Sequence, residues 1–213
     1  METTSMFRVL TSLTLFSVVA ACSTTSNLAR SPIPQPNDPE ATQGWQAVRA
    51  VEDGTTLERA VWLNNEANRE QRNGDPEVAQ AMSELSLELR REVLGHGHPM
   101  VALAMNNLAI IKNANGDHAE AKSLLLEALS IREQSLGNHH PAVAVTLNNL
   151  AVVLSDVGDH GTAEILLRRS LTIREAAFGK EHAKVQAALS NLVRNYEAQG
   201  RSDLAESLRQ RLR

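Results

Sequence analysis

The chain has 213 residues, 42% hydrophobic and 22% charged, which is ordinary for a soluble globular protein. A formal net charge of −4 gives no reason to expect nucleic acid or an acidic surface as partner. Aromatic residues make up only 3%, so platforms for base stacking are not expected either.

Residues 1–21 read as an export signal. Arg8 supplies a weak positive start, and Val9 to Ala21 form a short apolar stretch diluted by Thr and Ser. A bilayer span needs about 20 apolar residues, so this stretch is too short to be one. Glu2 is unwelcome in such a segment and points to Met6 as an alternative start. The segment ends Val19-Ala20-Ala21-Cys22, and Cys22 is the only cysteine in the chain. This ending resembles the bacterial lipobox, in which the peptide is cut before a cysteine whose thiol is acylated. The resemblance implies a membrane anchor at Cys22. Ser23 is unlike the Asp that retains lipoproteins in the inner membrane, so the expected location is the outer membrane, facing the periplasm. A plain secretory signal with an incidental cysteine is the alternative.

Residues 22–40 carry the anchor and a tether. Pro32, Pro34, Pro36 and Pro39 block a helix and favour an extended, semi-rigid spacer. At about 3.1 Å per residue it reaches roughly 50 Å. Residues 41–53 then offer a short cap helix with Trp45, Val48 and Val51 on one face.

From residue 57 the chain repeats itself. The stretch that begins at His98 returns at His140 without a gap: Asn107 becomes Asn149, Gly116 becomes Gly158 and Gly137 becomes Gly179, each 42 positions on. The same step runs back to Asn65, Gly74 and Gly95, and forward to His182, Asn191 and Gly200. Four copies result, at about 57–98, 99–140, 141–182 and a shortened 183–213. Val143, Leu147, Leu150, Ala151 and Leu154 recur at helical spacing, as do Ala163, Leu166, Leu167, Ser170 and Leu171. A glycine between the halves accepts the left-handed backbone that ends a helix, and Pro99 and Pro141 suit a first helical turn. Each copy is therefore a helix–turn–helix.

The spacing Leu147-x-x-Leu150-Ala151-x-x-Leu154 followed by Ala163-x-x-x-Leu167 resembles the tetratricopeptide repeat, and the 42-residue period looks like its kinesin-light-chain type. The resemblance covers about three quarters of the chain, and with the cap helix the repeat domain is expected at 41–213. It implies an all-α fold: a right-handed α-solenoid of antiparallel helix pairs that binds protein or peptide along a concave groove. Two departures stand out. Leu mostly replaces the consensus aromatics, and Glu66 and Glu70 occupy the positions of Leu150 and Leu154. The first copy is then a solvated cap or a degenerate repeat. The last helix has Arg209 at the position of Leu167, as expected of a polar terminal cap.

Paired asparagines sit midway along each first helix: Asn64-Asn65, Asn106-Asn107 and Asn148-Asn149, with Ser190-Asn191 in the fourth copy. Asn is a mediocre helix former, so its recurrence needs a cause. One is a structural ladder between neighbouring helices. The other is a ligand role, each carboxamide offering a donor and an acceptor to an extended peptide. The resemblance supports the second for Asn65, Asn107, Asn149 and Asn191. One turn either side, helical spacing adds Asn68, Arg72, Leu103, Ile110, Val145, Val152 and Arg194 to the same face. That groove is apolar and amide-lined, with arginines towards its ends, and suits an uncharged or apolar segment.

Catalysis finds little support. Five of the seven histidines recur in the repeat register, at turns and helix starts, and His96 and His139 lie in the same inter-repeat loops. Stacked helices lie about 10 Å apart, too far for register-equivalent histidines to share one zinc at about 2 Å. His139-His140 with Asp159 or His160 is the one cluster worth testing for metal. No cofactor is implied, and no catalytic residue or metal ligand is assigned. The expected function is a lipid-anchored periplasmic scaffold or adaptor in envelope assembly. A metal or catalytic protein using the His loops, and a self-assembling solenoid, are the alternatives. Composition leaves the oligomeric state open.

Overall fold

The computed structural model describes residues 55–212. The signal segment, Cys22, the tether and the 41–53 cap helix lie outside the described residues. Among those residues there are eight helices and no strand: α1 (Thr56–Asn73), α2 (Pro76–Leu94), α3 (Pro99–Ala114), α4 (His118–Leu136), α5 (Pro141–Asp156), α6 (His160–Phe178), α7 (Ala183–Ala198) and α8 (Ser202–Gln210). They fall into two compact units, divided between Val93 and Leu94.

In the first unit, α1 opens on a capping box. The Glu58 amide donates to Thr55 Oγ1 at 3.3 Å, and the Thr55 amide donates back to Glu58 Oε2 at 2.6 Å. Ala60, Leu63 and Ala67 form its buried stripe, and Ser86 of α2 donates to the Ala60 carbonyl at 2.6 Å. Glu66 and Glu70 leave α1 with less apolar surface than its later counterparts. Glu66 pairs with Arg69 at 3.2 Å.

In the second unit, α3–α4, α5–α6 and α7–α8 are the helix pairs, and the first helices of successive pairs, α3, α5 and α7, touch one another directly. Every residue of the stripe expected on α5 is buried: Val143, Leu147, Leu150, Ala151 and Leu154. On α6, Ala163, Leu167, Ser170 and Leu171 are buried and Leu166 is half-buried against the same core. Tight turns make the pairs antiparallel. Gly158, at φ 85°, occupies the left-handed region, and the next amide, of Asp159, reaches back to the Leu154 carbonyl at 2.8 Å. The Asp117 and Arg201 amides repeat that bond to Lys112 and Tyr196 at 2.8 and 2.9 Å.

The helix starts use the histidines. Pro99 and Pro141 stand in the first turn of α3 and α5. The ring Nδ1 of His98, His140 and His182 accepts from the amides of Met100, Ala142 and Lys184, each at 3.1 Å. Within the second unit a recurrent arginine ties one pair to the next. Arg132 of α4 donates to the Ala142 carbonyl at 2.8 Å and to Thr146 Oγ1 at 2.6 Å, and Arg174 of α6 donates to the Lys184 carbonyl at 2.8 Å. Burial pulls both guanidinium groups below their ordinary value.

Candidate functional site

The stacking of α3, α5 and α7 brings their asparagines into one row. Asn106 and Asn148 are buried, at 3% and 8% exposure, whereas Asn107, Asn149 and Asn191 are half-buried. Asn149 Nδ2 donates to Asn106 Oδ1 at 3.1 Å, and Asn191 Nδ2 donates to Asn148 Oδ1 at 2.8 Å. Asn148 Nδ2 in turn reaches Asn149 Oδ1 at 3.4 Å. The amides thus form one relay from α7 through α5 to α3. Asn149 and Asn191 each tie through Nδ2 to the first Asn of the preceding copy. Acceptor capacity remains on Asn191 Oδ1 and, beside its long bond from Asn148, on Asn149 Oδ1.

Two hollows open along this row. The one between α3 and α5 has a volume of about 160 Å³ and is walled by Ile110, Asn113, Asn149, Val152 and Val153. The other, between α5 and α7, measures about 200 Å³ and is walled by Val152, Ser155, Asn191, Arg194 and Asn195 among others. These walls are register equivalents: Ile110 corresponds to Val152, Asn149 to Asn191, Val152 to Arg194 and Val153 to Asn195. One surface feature is repeated with the sequence, but its chemistry changes from aliphatic to polar.

The polar hollow is the less satisfied of the two. His118 Nδ1 donates to Asn113 Oδ1 at 2.8 Å, and Asn113 Nδ2 donates to Asp156 Oδ2 at 2.6 Å. At the equivalent place Ser155 stands for Asn113 and is taken by Asn195 Nδ2 at 3.1 Å. His160 Nδ1 is consequently buried without a partner. Arg194 is exposed and has no hydrogen bond or ion pair among the described residues.

Of the other face residues expected from spacing, Val145 is 39% exposed and Leu103 is half-buried, and neither lines a hollow. Asn64, Asn65, Asn68 and Arg72 lie on α1 in the first unit. There Asn68 Nδ2 bonds the Asn64 carbonyl at 2.9 Å, and Asn65 and Arg72 are exposed. Sequence spacing missed Asp156 and Asn195 and named His160 only in a possible metal cluster with His139 and His140, whereas it stands in the wall of the polar hollow. The visible signal for Asn195 was an amide at a position held by Ile111 and Val153 in the earlier copies.

A second polar cluster lies where α6, α7 and the start of α8 meet. Glu164 accepts from Tyr196 Oη at 3.1 Å and pairs with Arg168 at 2.9 Å and Arg201 at 2.5 Å. Burial pushes its carboxyl up. The hydrogen bonds from Tyr196 and Gln199 and the charges of Arg201 and Arg168 outweigh that, and hold it below the usual carboxylate range. Arg209 pairs with Glu197, and Arg211 with Glu175, tying the chain end to α7 and α6. No group of three or more His, Cys, Asp or Glu side chains suited to a metal ion occurs among the described residues.

Comparison with known proteins agrees with this geometry. The family model described as Tetratricopeptide repeat matches residues 58–134, 101–176 and 143–212, overlapping windows that advance by about one copy. Among solved structures, a Podosopora anserina protein of nearly identical TPR-like repeats, of the kinesin-light-chain type, is similar at 24% identity and a TM-score of 0.66. That alignment covers 81% of this chain and 82% of the other. BtubC (BKLC) from P. vanneervenii is similar at 22% identity and a TM-score of 0.67, over 96% of this chain and 83% of the other. The apo form of RapI is similar at 15% identity and a TM-score of 0.62, over 82% of this chain and 50% of the other. No curated protein matches the chain.

Proposed function

The chain belongs to the tetratricopeptide-repeat family, and on that premise we propose that it is a lipid-anchored periplasmic scaffold holding a segment of a partner protein along α3, α5 and α7. Tetratricopeptide repeats are protein-binding scaffolds, and those of the kinesin-light-chain type are typically non-catalytic. The observation that carries the finer reading is the pair of register-equivalent hollows beside the amide relay. They give the stacked first helices a continuous, partly apolar surface with acceptors left over, which is what an extended backbone requires.

The anchor and location rest on the Val19-Ala20-Ala21-Cys22 ending and on the single cysteine. Acylation at Cys22 fixes the protein to the outer membrane, the proline-rich tether sets its reach, and the repeats recruit. Service in the assembly of an envelope complex follows from that arrangement.

The test uses groove residues whose side chains are exposed and carry little of the fold. Ile110→Ser and Arg194→Gln should abolish partner capture from envelope extract while leaving far-UV helicity and the melting temperature unchanged. Capture that survives both substitutions would refute the groove reading.

A further inference from the structure

The row Ile110, Val152, Arg194 is a single register position in three successive copies, and it gives the two hollows opposite chemistry. We infer that the hollows are paired subsites for one extended peptide, the α3–α5 hollow taking an aliphatic side chain and the α5–α7 hollow taking a carboxylate three residues away. This inference rests on the groove reading above and adds what the groove selects.

Charge and hydrogen-bonding capacity make the assignment. Apart from the amides of Asn113 and Asn149, the α3–α5 hollow presents only aliphatic side chains, Ile110, Leu125, Val152 and Val153 among them, and no cation. In the α5–α7 hollow, Arg194 offers a guanidinium fork with no partner among the described residues, the geometry that suits a carboxylate. His160 stands in the same wall with its Nδ1 buried, so the exposed guanidinium of Arg194 is the group that meets the ligand. The one acid there, Asp156, has its Oδ2 engaged by Asn113 from the α3 side, and no ion pair joins it to Arg194.

Spacing sets the ruler. Packed helices lie about 8–10 Å apart, so hollows bounded by α3 and α5 and by α5 and α7 repeat at that distance. A polyproline II chain advances about 3.1 Å per residue with three residues per turn, which puts side chains three apart on one face, about 9 Å from each other. A β-strand repeats its faces at roughly 7 or 13 Å, and fits less well. The backbone of such a chain runs beside Asn149 and Asn191, whose Oδ1 atoms accept its amides.

Fluorescein-labelled, end-blocked peptides in a Pro/Ala/Gln host, each with one Leu and one Glu two, three or four positions apart in either order, test this by anisotropy against the purified full chain. The three-residue spacing should bind best, and replacing its Glu by Gln should weaken binding about tenfold, the scale of one charge-assisted contact. Arg194→Gln should erase the Glu-over-Gln preference and keep the Leu-over-Ser preference, and Ile110→Ser should do the reverse. Equal affinity for Glu and Gln peptides, or an optimum at another spacing, overturns the inference while leaving the groove reading intact. Failure of every peptide to bind overturns it as well, and the groove reading is then decided separately by capture with Ile110→Ser and Arg194→Gln.

Discussion

Asn149 donates its side-chain amide to Asn106 Oδ1 at 3.1 Å, so a half-buried residue of α5 satisfies a buried one of α3. Asn149→Ala leaves Asn106 Oδ1, on a residue only 3% exposed, without that donor. The expected loss is about 1–2 kcal/mol, read from urea unfolding. A double-mutant cycle with Asn106→Ala should return a coupling of about 1 kcal/mol. Purely additive losses would mean that the relay carries no energy.

Arg132 is the buried strut between α4 and α5, bonded to the Ala142 carbonyl and to Thr146. Arg132→Ala should cost about 3 kcal/mol, since it deletes two charge-assisted bonds in a buried site and leaves the Ala142 carbonyl with the Thr146 hydroxyl at 3.4 Å in place of the guanidinium. Both bonds come from the one Nη1, so Arg132→Lys should recover part of this, limited by the shorter reach of its ammonium. Thermal melting of both variants checks the ranking.

The imidazole of His140 accepts the Ala142 amide at the start of α5, and His98 and His182 do the same one copy away. His140→Ala should cost about 1 kcal/mol and His140→Asn should restore most of it, as at other helix starts. A loss as large as that of Arg132→Ala would point to a role beyond capping.

Glu164 sits below the usual carboxylate range despite the opposing effect of burial, because Tyr196, Gln199, Arg201 and Arg168 favour its charged form. The unfolded chain therefore takes up this proton at higher pH than the folded one. The stabilisation is complete above the ordinary carboxylate value and is lost as pH falls through the lowered folded value. Between about pH 6 and pH 3 the melting temperature of the native chain should fall more steeply than that of Glu164→Gln. Parallel curves would remove Glu164 from the account.

Cys22 carries the proposed anchor. Cys22→Ala should shift the protein from the membrane fraction to the soluble one, or leave it unprocessed. Unchanged fractionation would refute lipidation.

Most of the architecture was legible because a gapless 42-residue register is a statement about helices that must look alike. The stripe Val143 to Leu154 is buried as expected, Pro99 and Pro141 begin helices, and Gly116 and Gly158 end them. What the register could not convey was direction. It placed Asn106, Asn107, Asn148 and Asn149 at the same height but not which member of a pair is buried, because adjacent residues on a helix differ by about 100° in direction. Asn195, and the place of His160 in the polar hollow, escaped for a related reason: they depend on contacts between α5, α6 and α7 that no single helix wheel contains. Arg132 and Arg174 stand one repeat apart, but their bonds to the next helix depend on the turn between the pairs.

Photo-crosslinking in intact cells tests the central claim most directly, with the reactive amino acid at Val152, in the wall of both hollows, or at Ile165, 68% exposed on α6 and in neither. A discrete adduct with one partner from Val152, and none from Ile165, is the predicted result. An adduct from Ile165 with Val152 silent would place recognition away from the α3–α5–α7 groove and contradict the account.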